Sequence, residues 1–250
     1  MFFISSCSAI TGTSPKQAVQ LKPQSIQPQK TDAAEAIIYG LKNRNSALKT
    51  FKGTGTIKLY NKGIRQTTRL AWAGSLPDKI RIEILSLAGR PDLSIAGNGR
   101  KLYFLFHQNR KIYKKAFNAD LNKLISIPVK TTEIITLLSG RIPILKYKTA
   151  LFKKTPAPNT SVIILKNAEE EILEKIFLAA NEKDVRRIEI FNPKGSLRYA
   201  AAFNGIRKIN AYSVPTGFEL SDKDAVVHIS IDKYWTDIII DQSVFTLGNE

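Results

Sequence analysis

Cysteine is almost missing from this sequence: Cys7 stands alone among 250 residues. A single cysteine excludes an intramolecular disulfide and any metal site built from several thiolates. Histidine is nearly as scarce, with only His107 and His228. Neither sits in a motif with a nucleophile, and no metal-ligand spacing is present. No glycine-rich phosphate loop precedes a helix, because Gly53-Thr54-Gly55 opens a strand pattern instead. No apolar run reaches the roughly 18 residues that a membrane-crossing helix needs. Acidic residues are in deficit, 21 against 38 Lys and Arg, which leaves a formal charge of +17. That surplus favours anionic partners by steering and by contact, with nucleic acid and anionic lipid surfaces both admissible. These absences argue against an enzyme and against any cofactor or metal.

What is present starts at the N-terminus. Met1-Phe2-Phe3-Ile4-Ser5-Ser6-Cys7 ends in an aliphatic residue, two small residues and the cysteine. That order resembles a bacterial lipobox, in which the cysteine is acylated and becomes the mature N-terminus. Residues 1–6 then read as a truncated signal-peptide remnant. Residues 8–31 are rich in Ser, Thr, Gln and Lys, with Pro15, Pro23 and Pro28 spaced along them. Such a segment buries too little apolar surface to fold alone and reads as a linker. The expected organisation is a remnant over 1–6, a lipidated N-terminus and tether over 7–31, and one domain over 32–250.

The rest of the chain is 43% hydrophobic overall, enough for a sizeable core. A helix is expected from Asp32, capped there with Glu35 three residues on, its apolar stripe Ala34, Ile37, Ile38 and Leu41, ending near Lys49. Alternating strands follow, with Ile57 and Leu59 on the first and Asn61-Lys62-Gly63 reading as the turn after it. Leu70 and Trp72 share one face of residues 65–73, and Ile80, Ile82 and Ile84 alternate with Arg81 and Glu83. Leu93 and Ile95 lie on the next strand, closed by the hairpin signal Asn98-Gly99. Residues 101–107 are apolar on both faces, so something must cover both sides. Residues 120–125 suggest a helical turn, and 131–139 an amphipathic helix with Ile134, Leu137 and Leu138 on one side and Gly140 at its C-terminus. Further strands are expected at 162–165, 172–179, 185–191, 197–203, 206–211 and 225–231. The pattern predicts a mainly β (α+β) fold: a strongly curved antiparallel sheet of about ten strands wrapped around a helical insert, with an N-terminal helix.

Residues 121–143, LNKLISIPVKTTEIITLLSGRIP, resemble the middle of the LolB family within the LolA/LolB superfamily. Ile127-Pro128-Val129 and Leu137-Leu138-Ser139-Gly140 carry the match. Residues 218–231, FELSDKDAVVHISI, look like that family's penultimate hairpin, and residues 84–89 like the strand before its protruding loop. The resemblance spans about residues 45–235; beyond it, Tyr234, Trp235 and Phe245 belong to a C-terminal extension.

The resemblance implies a half-open antiparallel β-barrel of about ten strands wrapped around a short helical lid, and a non-enzymatic outer-membrane lipoprotein, facing the periplasm, that holds acyl chains in an apolar cavity and takes part in lipoprotein localisation or insertion. It implies a cavity lined by Leu70, Trp72, Ile80, Ile82, Ile84, Leu93, Ile95, Leu102 and Phe104. The lid would be Ile134, Leu137 and Leu138, and Leu87 the membrane-inserting leucine. Lipid on Cys7 would be the anchor, and a LolA-like periplasmic carrier the partner of a monomer.

The residues alone leave alternatives open. Periodicity does not separate a hollow interior from a solid core made by the same side chains. The basic clusters Arg110, Lys111, Lys114, Lys115 and Lys146, Lys148, Lys153, Lys154 suit anionic headgroups or a solvated face. An envelope lipid-binding or assembly module without receptor activity is the second reading. A basic nucleic-acid-binding protein is the third; against it, no nucleic-acid module is recognisable.

Overall fold

The computed structural model describes residues 29–30, 32–157 and 160–247. The lipobox, Cys7 and most of the tether lie outside the described residues.

Two antiparallel meanders make one sheet. The first runs through β2 (Thr50–Asn61), β3 (Ile64–Ser75), β4 (Lys79–Leu85), β5 (Pro91–Asn98), β6 (Lys101–Phe106) and β7 (Lys111–Ala116). The second runs through β8 (Thr149–Lys154), β9 (Ser161–Lys166), β10 (Ile172–Leu178), β11 (Val185–Phe191), β12 (Leu197–Phe203), β15 (Gly217–Ser221) and β16 (Ala225–Thr236). With the two-residue β1 (Gln29–Lys30), the sheet has fourteen strands. β2 and β16 join the meanders along eleven register pairs, and β7 and β1 are the free ends. A separate hairpin pairs β13 (Ile206–Ile209) with β14 (Tyr212–Pro215).

The mainly antiparallel β architecture agrees with the sequence, but the count of about ten strands is too low. Residues 149–154 were expected only as a basic stretch; they form β8 because Ala150 and Phe152 alternate inward between lysines and threonine. β14 was also missed, being four residues long. The turns were readable. Lys62-Gly63 has positive φ at both positions, as a tight hairpin demands, and Gly99 has φ +85°.

Three helices pack inside: α1 (Asp32–Asn43), α2 (Asn122–Ile125) and α3 (Thr131–Leu138). α1 buries Ala34, Ile38 and Leu41, but it stops at Asn43, six residues before the expected end. Asn45 takes a left-handed backbone, φ 54°, so that its amide can reach two other segments. One buried cluster joins α1, α3 and the inner faces of both meanders, so the sheet wraps its helices. Gly53 and Gly55 permit the close approach at the joint. A Cβ on Gly53 would overlap the Trp72 indole, and one on Gly55 the Ser230 carbonyl.

The prediction that residues 101–107 are covered twice is met by the C-terminus. A 3-10 turn at Gln242–Phe245 packs on the outer faces of β4 and β5. Leu247 closes on Ala96 and Tyr103, and Phe245 is fully buried.

Candidate functional site

The structure brings the expected interior residues together. Leu70, Trp72, Ile80, Ile82, Leu93, Ile95, Leu102 and Phe104 are buried in one cluster, with Ile84 partly buried against it. Ile134, Leu137 and Leu138 of α3 belong to the same cluster. Alternation along β3 to β6 explains this: adjacent antiparallel strands place Leu70, Ile84, Leu93 and Phe106 side by side on one face.

The helix α3, expected as the lid, is fastened at both ends. At its start Glu133 accepts the Lys130 backbone N–H at 2.8 Å and pairs with Arg198 of β12. At its end the Tyr234 hydroxyl donates to the Leu138 carbonyl at 2.9 Å. Asn45 donates from its amide nitrogen to the carbonyls of Ser139 and Ser213, at 3.0 and 2.8 Å, and accepts the Ser213 N–H at 3.0 Å. Arg141 donates to the carbonyls of Asn45, Ser46 and Leu48. The segment after α3 is thereby tied to the segment after α1.

The interior opens beside α2. A groove of about 400 Å³ lies between β6, β7 and α2, with Phe104, Phe106, Tyr113, Leu121 and Leu124 on its apolar walls. Its size falls within the ~300–1,000 Å³ typical of small-molecule sites. Phe106 and Tyr113 meet edge to face at 5.8 Å, and the Lys115 ammonium sits 5.8 Å from the Phe104 ring centroid. Lys115, Lys123, Asn109 and Asp120 make the polar rim. Phe104 is the member of the expected cavity set that lines this groove. Lys115 was singled out only as part of a basic cluster, and the remaining groove residues were not named as site residues, because α2 is a four-residue helix with no periodicity to read.

Leu87 stands at the tip of the β4–β5 turn and is wholly exposed. Ser86 and Arg90 close the turn beneath it through an N–H to carbonyl bond of 2.7 Å, and Gly89 supplies φ +78°.

An ionisable carboxyl is also buried inside. Glu174 points from β10 beneath the segment that follows α3 and accepts the Leu145 N–H at 3.0 Å; its other oxygen has no partner. Burial pushes its carboxyl up to about 8, the Leu145 bond and Arg198 opposing that and Glu133 adding to it. Burial likewise raises the neighbouring Tyr199 hydroxyl far above its ordinary range. No periodicity in the sequence marked this group, since Glu174 occupies an inward position of an otherwise apolar strand.

The two histidines have partners that sequence distance conceals. His107 Nε2 lies 2.7 Å from Ser94 Oγ, which also bonds Glu83 at 2.5 Å. The carboxylate holds the hydroxyl rather than the imidazole, and Ser94 is fully buried. Arg81 pairs with Glu83 and donates to the carbonyls of Val244 and Thr246, so this network clamps the C-terminal segment. His228 pairs with Glu219 across β15 and β16 at 3.1 Å.

Fourteen strands curled around a latched helix, with a groove at one end, can be set against known proteins. No protein-family description matches the sequence, and no curated protein matches it. Solved structures do. A LolA superfamily protein from Nitrosomonas europaea superposes with a TM-score of 0.61 at 12% identity, covering 86% of this chain and 97% of that one. The fold is LolA-like. A putative outer membrane lipoprotein-sorting protein domain from Vibrio parahaemolyticus gives a TM-score of 0.59 at 10% identity, with 85% and 96% covered. A DUF1329 family protein from Desulfovibrio piger gives 0.62 at 7% identity, with 86% and 98% covered. The fold expected from residues 121–143 and 218–231 is thus shared with these proteins, while the narrower LolB assignment is not reached by these likenesses.

Proposed function

We propose that this chain binds acyl chains and takes part in lipoprotein localisation or insertion at the outer membrane, anchored there by lipid on Cys7 and facing the periplasm. The observation that carries the reading is the apolar groove between β6, β7 and α2, continuous with the core through Phe104. Burying a chain of about sixteen carbons contributes on the order of 10 kcal/mol at ~0.8 per methylene, with no covalent chemistry required. Release of α3 from its latches would extend the groove along the inner set Leu70 to Leu102. A soluble LolA-like carrier would hand over the cargo, and the protein would act as a monomer. Leu87, fully exposed at the β4–β5 turn, would enter the target bilayer.

Displacement of an apolar dye by fatty acids tests binding. Titratable displacement is expected; a dye that never enters the folded protein would end the reading. Leu87→Glu is expected to abolish delivery of an acylated cargo to liposomes while leaving dye binding intact. Delivery that survives the change would remove Leu87 from this role.

The second reading is an envelope lipid-binding or assembly module on the same fold. The closed packing of the inner set against α3 favours it, because such a core holds lipid only at its open end. It predicts dye binding without delivery. Mass spectrometry of the native N-terminus tests the anchor under both readings: diacylglycerol on Cys7 is expected, and a bare thiol would remove it.

A further inference from the structure

We propose that three neighbouring hairpin turns form a platform that seats this protein on a bilayer rich in anionic phospholipid. The proposal rests on the delivery reading above and extends it to its target surface; it shares Leu87 with that reading and adds Ile64, Ile112 and the basic residues around them. Strands β2 to β7 are consecutive and antiparallel, so the β2–β3, β4–β5 and β6–β7 turns leave the same edge of the sheet. Successive turns are two strands apart, about 10 Å.

Each turn presents an apolar side chain to solvent. Ile64 is 64% exposed beside the first turn, Leu87 is fully exposed on the second, and Ile112 and Tyr113 are 42% and 51% exposed beside the third. A β-hairpin tip has no need of a large aliphatic residue, and polar turn formers serve it better. Leu87 at the tip of its turn is therefore unexplained by folding; Ile64 and Ile112 are strand residues, suited to β-structure, that stay exposed beside the other two turns.

Basic residues are interleaved with them. Lys62 and Arg65 flank Ile64, Arg90 follows Leu87, and Arg110 and Lys111 precede Ile112. All five are exposed. Within residues 62–65, 86–92 and 107–113, Asp92 is the single carboxylate. The next turn along the same edge, between β15 and β16, carries Asp222 and Asp224 around Lys223 and no exposed large apolar residue, and so bounds the platform. Apolar tips ringed by Lys and Arg complement a surface that is negative at its headgroups and apolar just beneath. A nucleic acid offers the charge without the apolar layer.

The platform also has the right neighbour. Asn109 and Tyr113, in and beside the third turn, line the mouth of the apolar groove. A protein seated on these turns holds that mouth against the bilayer, so that an acyl chain can pass without crossing water.

Co-sedimentation of the unacylated full-length chain with phosphatidylcholine vesicles, with and without phosphatidylglycerol, tests the proposal. Binding is expected only where phosphatidylglycerol is present, and it should weaken with salt. Changing Lys62, Arg90 and Arg110 together to Ala is expected to lower partition roughly 100-fold. Ile64→Asp with Ile112→Asp should also abolish it, with Leu87 left intact. Ile239→Asp, fully exposed beyond the opposite end of β16, should bind as the wild type does. Equal binding to neutral vesicles, or unchanged partition in the triple variant, would overturn the platform. So would an oligonucleotide that binds as strongly and ignores the Ile64 and Ile112 changes. Fatty-acid displacement in solution is measured on the same variants and separates the two proposals. Platform variants that keep dye binding but lose vesicles support docking, and a wild type that sediments but binds no dye keeps the platform and discards the acyl site.

Discussion

Glu174 shows how one buried group can set the pH response of the fold. Its carboxyl is pushed from the ordinary 4.5 up to about 8 because water is excluded around it. The folded state therefore keeps this proton in a range where the unfolded chain gives it up. The sign follows: the stabilising contribution is complete below about 4.5 and is lost as pH rises through about 8. Thermal unfolding followed from pH 5 to 9 is expected to show stability falling across that window. Glu174→Gln keeps the shape without the charge. It should flatten the fall and gain roughly 2–4 kcal/mol at pH 9 while changing little at pH 5. A variant whose pH profile parallels the wild type would show that Glu174 is not the group responsible. Legibility at this scale is uneven. Leu70, Trp72 and Ile82 announced their burial by alternation. Ser94, Glu83 and His107 did not, because their meeting depends on three strands lying in register.

At the scale of elements, α3 is held less by its own eight residues than by what grips its ends. A helix this short is marginal alone and owes its stability to tertiary packing. Asn45 is the side chain that ties its C-terminal end to the β13–β14 hairpin, making three hydrogen bonds to backbone groups. Asn45→Ala leaves those groups buried without partners, at a cost of about 2–3 kcal/mol. Hydrogen exchange is expected to rise in residues 131–145 and in the hairpin, ahead of the joined strands β2 and β16. Protection lost evenly over the whole sheet would contradict a local latch. The helix itself was legible from the spacing of Ile134, Leu137 and Leu138 and from Gly140, which has φ +73°. The latch was not, since Asn45 and Ser213 are 168 positions apart.

Over the whole molecule, the C-terminal segment behaves as an outer seal on an otherwise one-sided sheet. Phe245 and Leu247 bury apolar surface against β4, β5 and β6, and Arg81 fixes the segment's carbonyls. Removing residues 237–250 uncovers Tyr103 and Ala96. The loss of two large buried side chains should cost about 3–6 kcal/mol. A lowered urea midpoint with increased binding of a hydrophobic dye is expected, and a truncated chain with an unchanged midpoint would show that the seal is ornamental.

The sequence by itself determined the period-two alternation of the strands, the tight turns at Lys62-Gly63 and Asn98-Gly99, the amphipathic α3 and the need for a second cover over residues 101–107. Each of these is a local pattern, set by side chains within a few positions of one another. Tertiary structure decided where the chain closes, through the pairing of β2 with β16, and it decided that the inner set packs tightly against α3 while a groove opens beside α2. It also gathered Ile64, Leu87 and Ile112 along one edge. Whether apolar residues fill a space or line it depends on how far apart two surfaces settle. That distance follows from curvature and from contacts between residues remote in the chain, which no local pattern encodes.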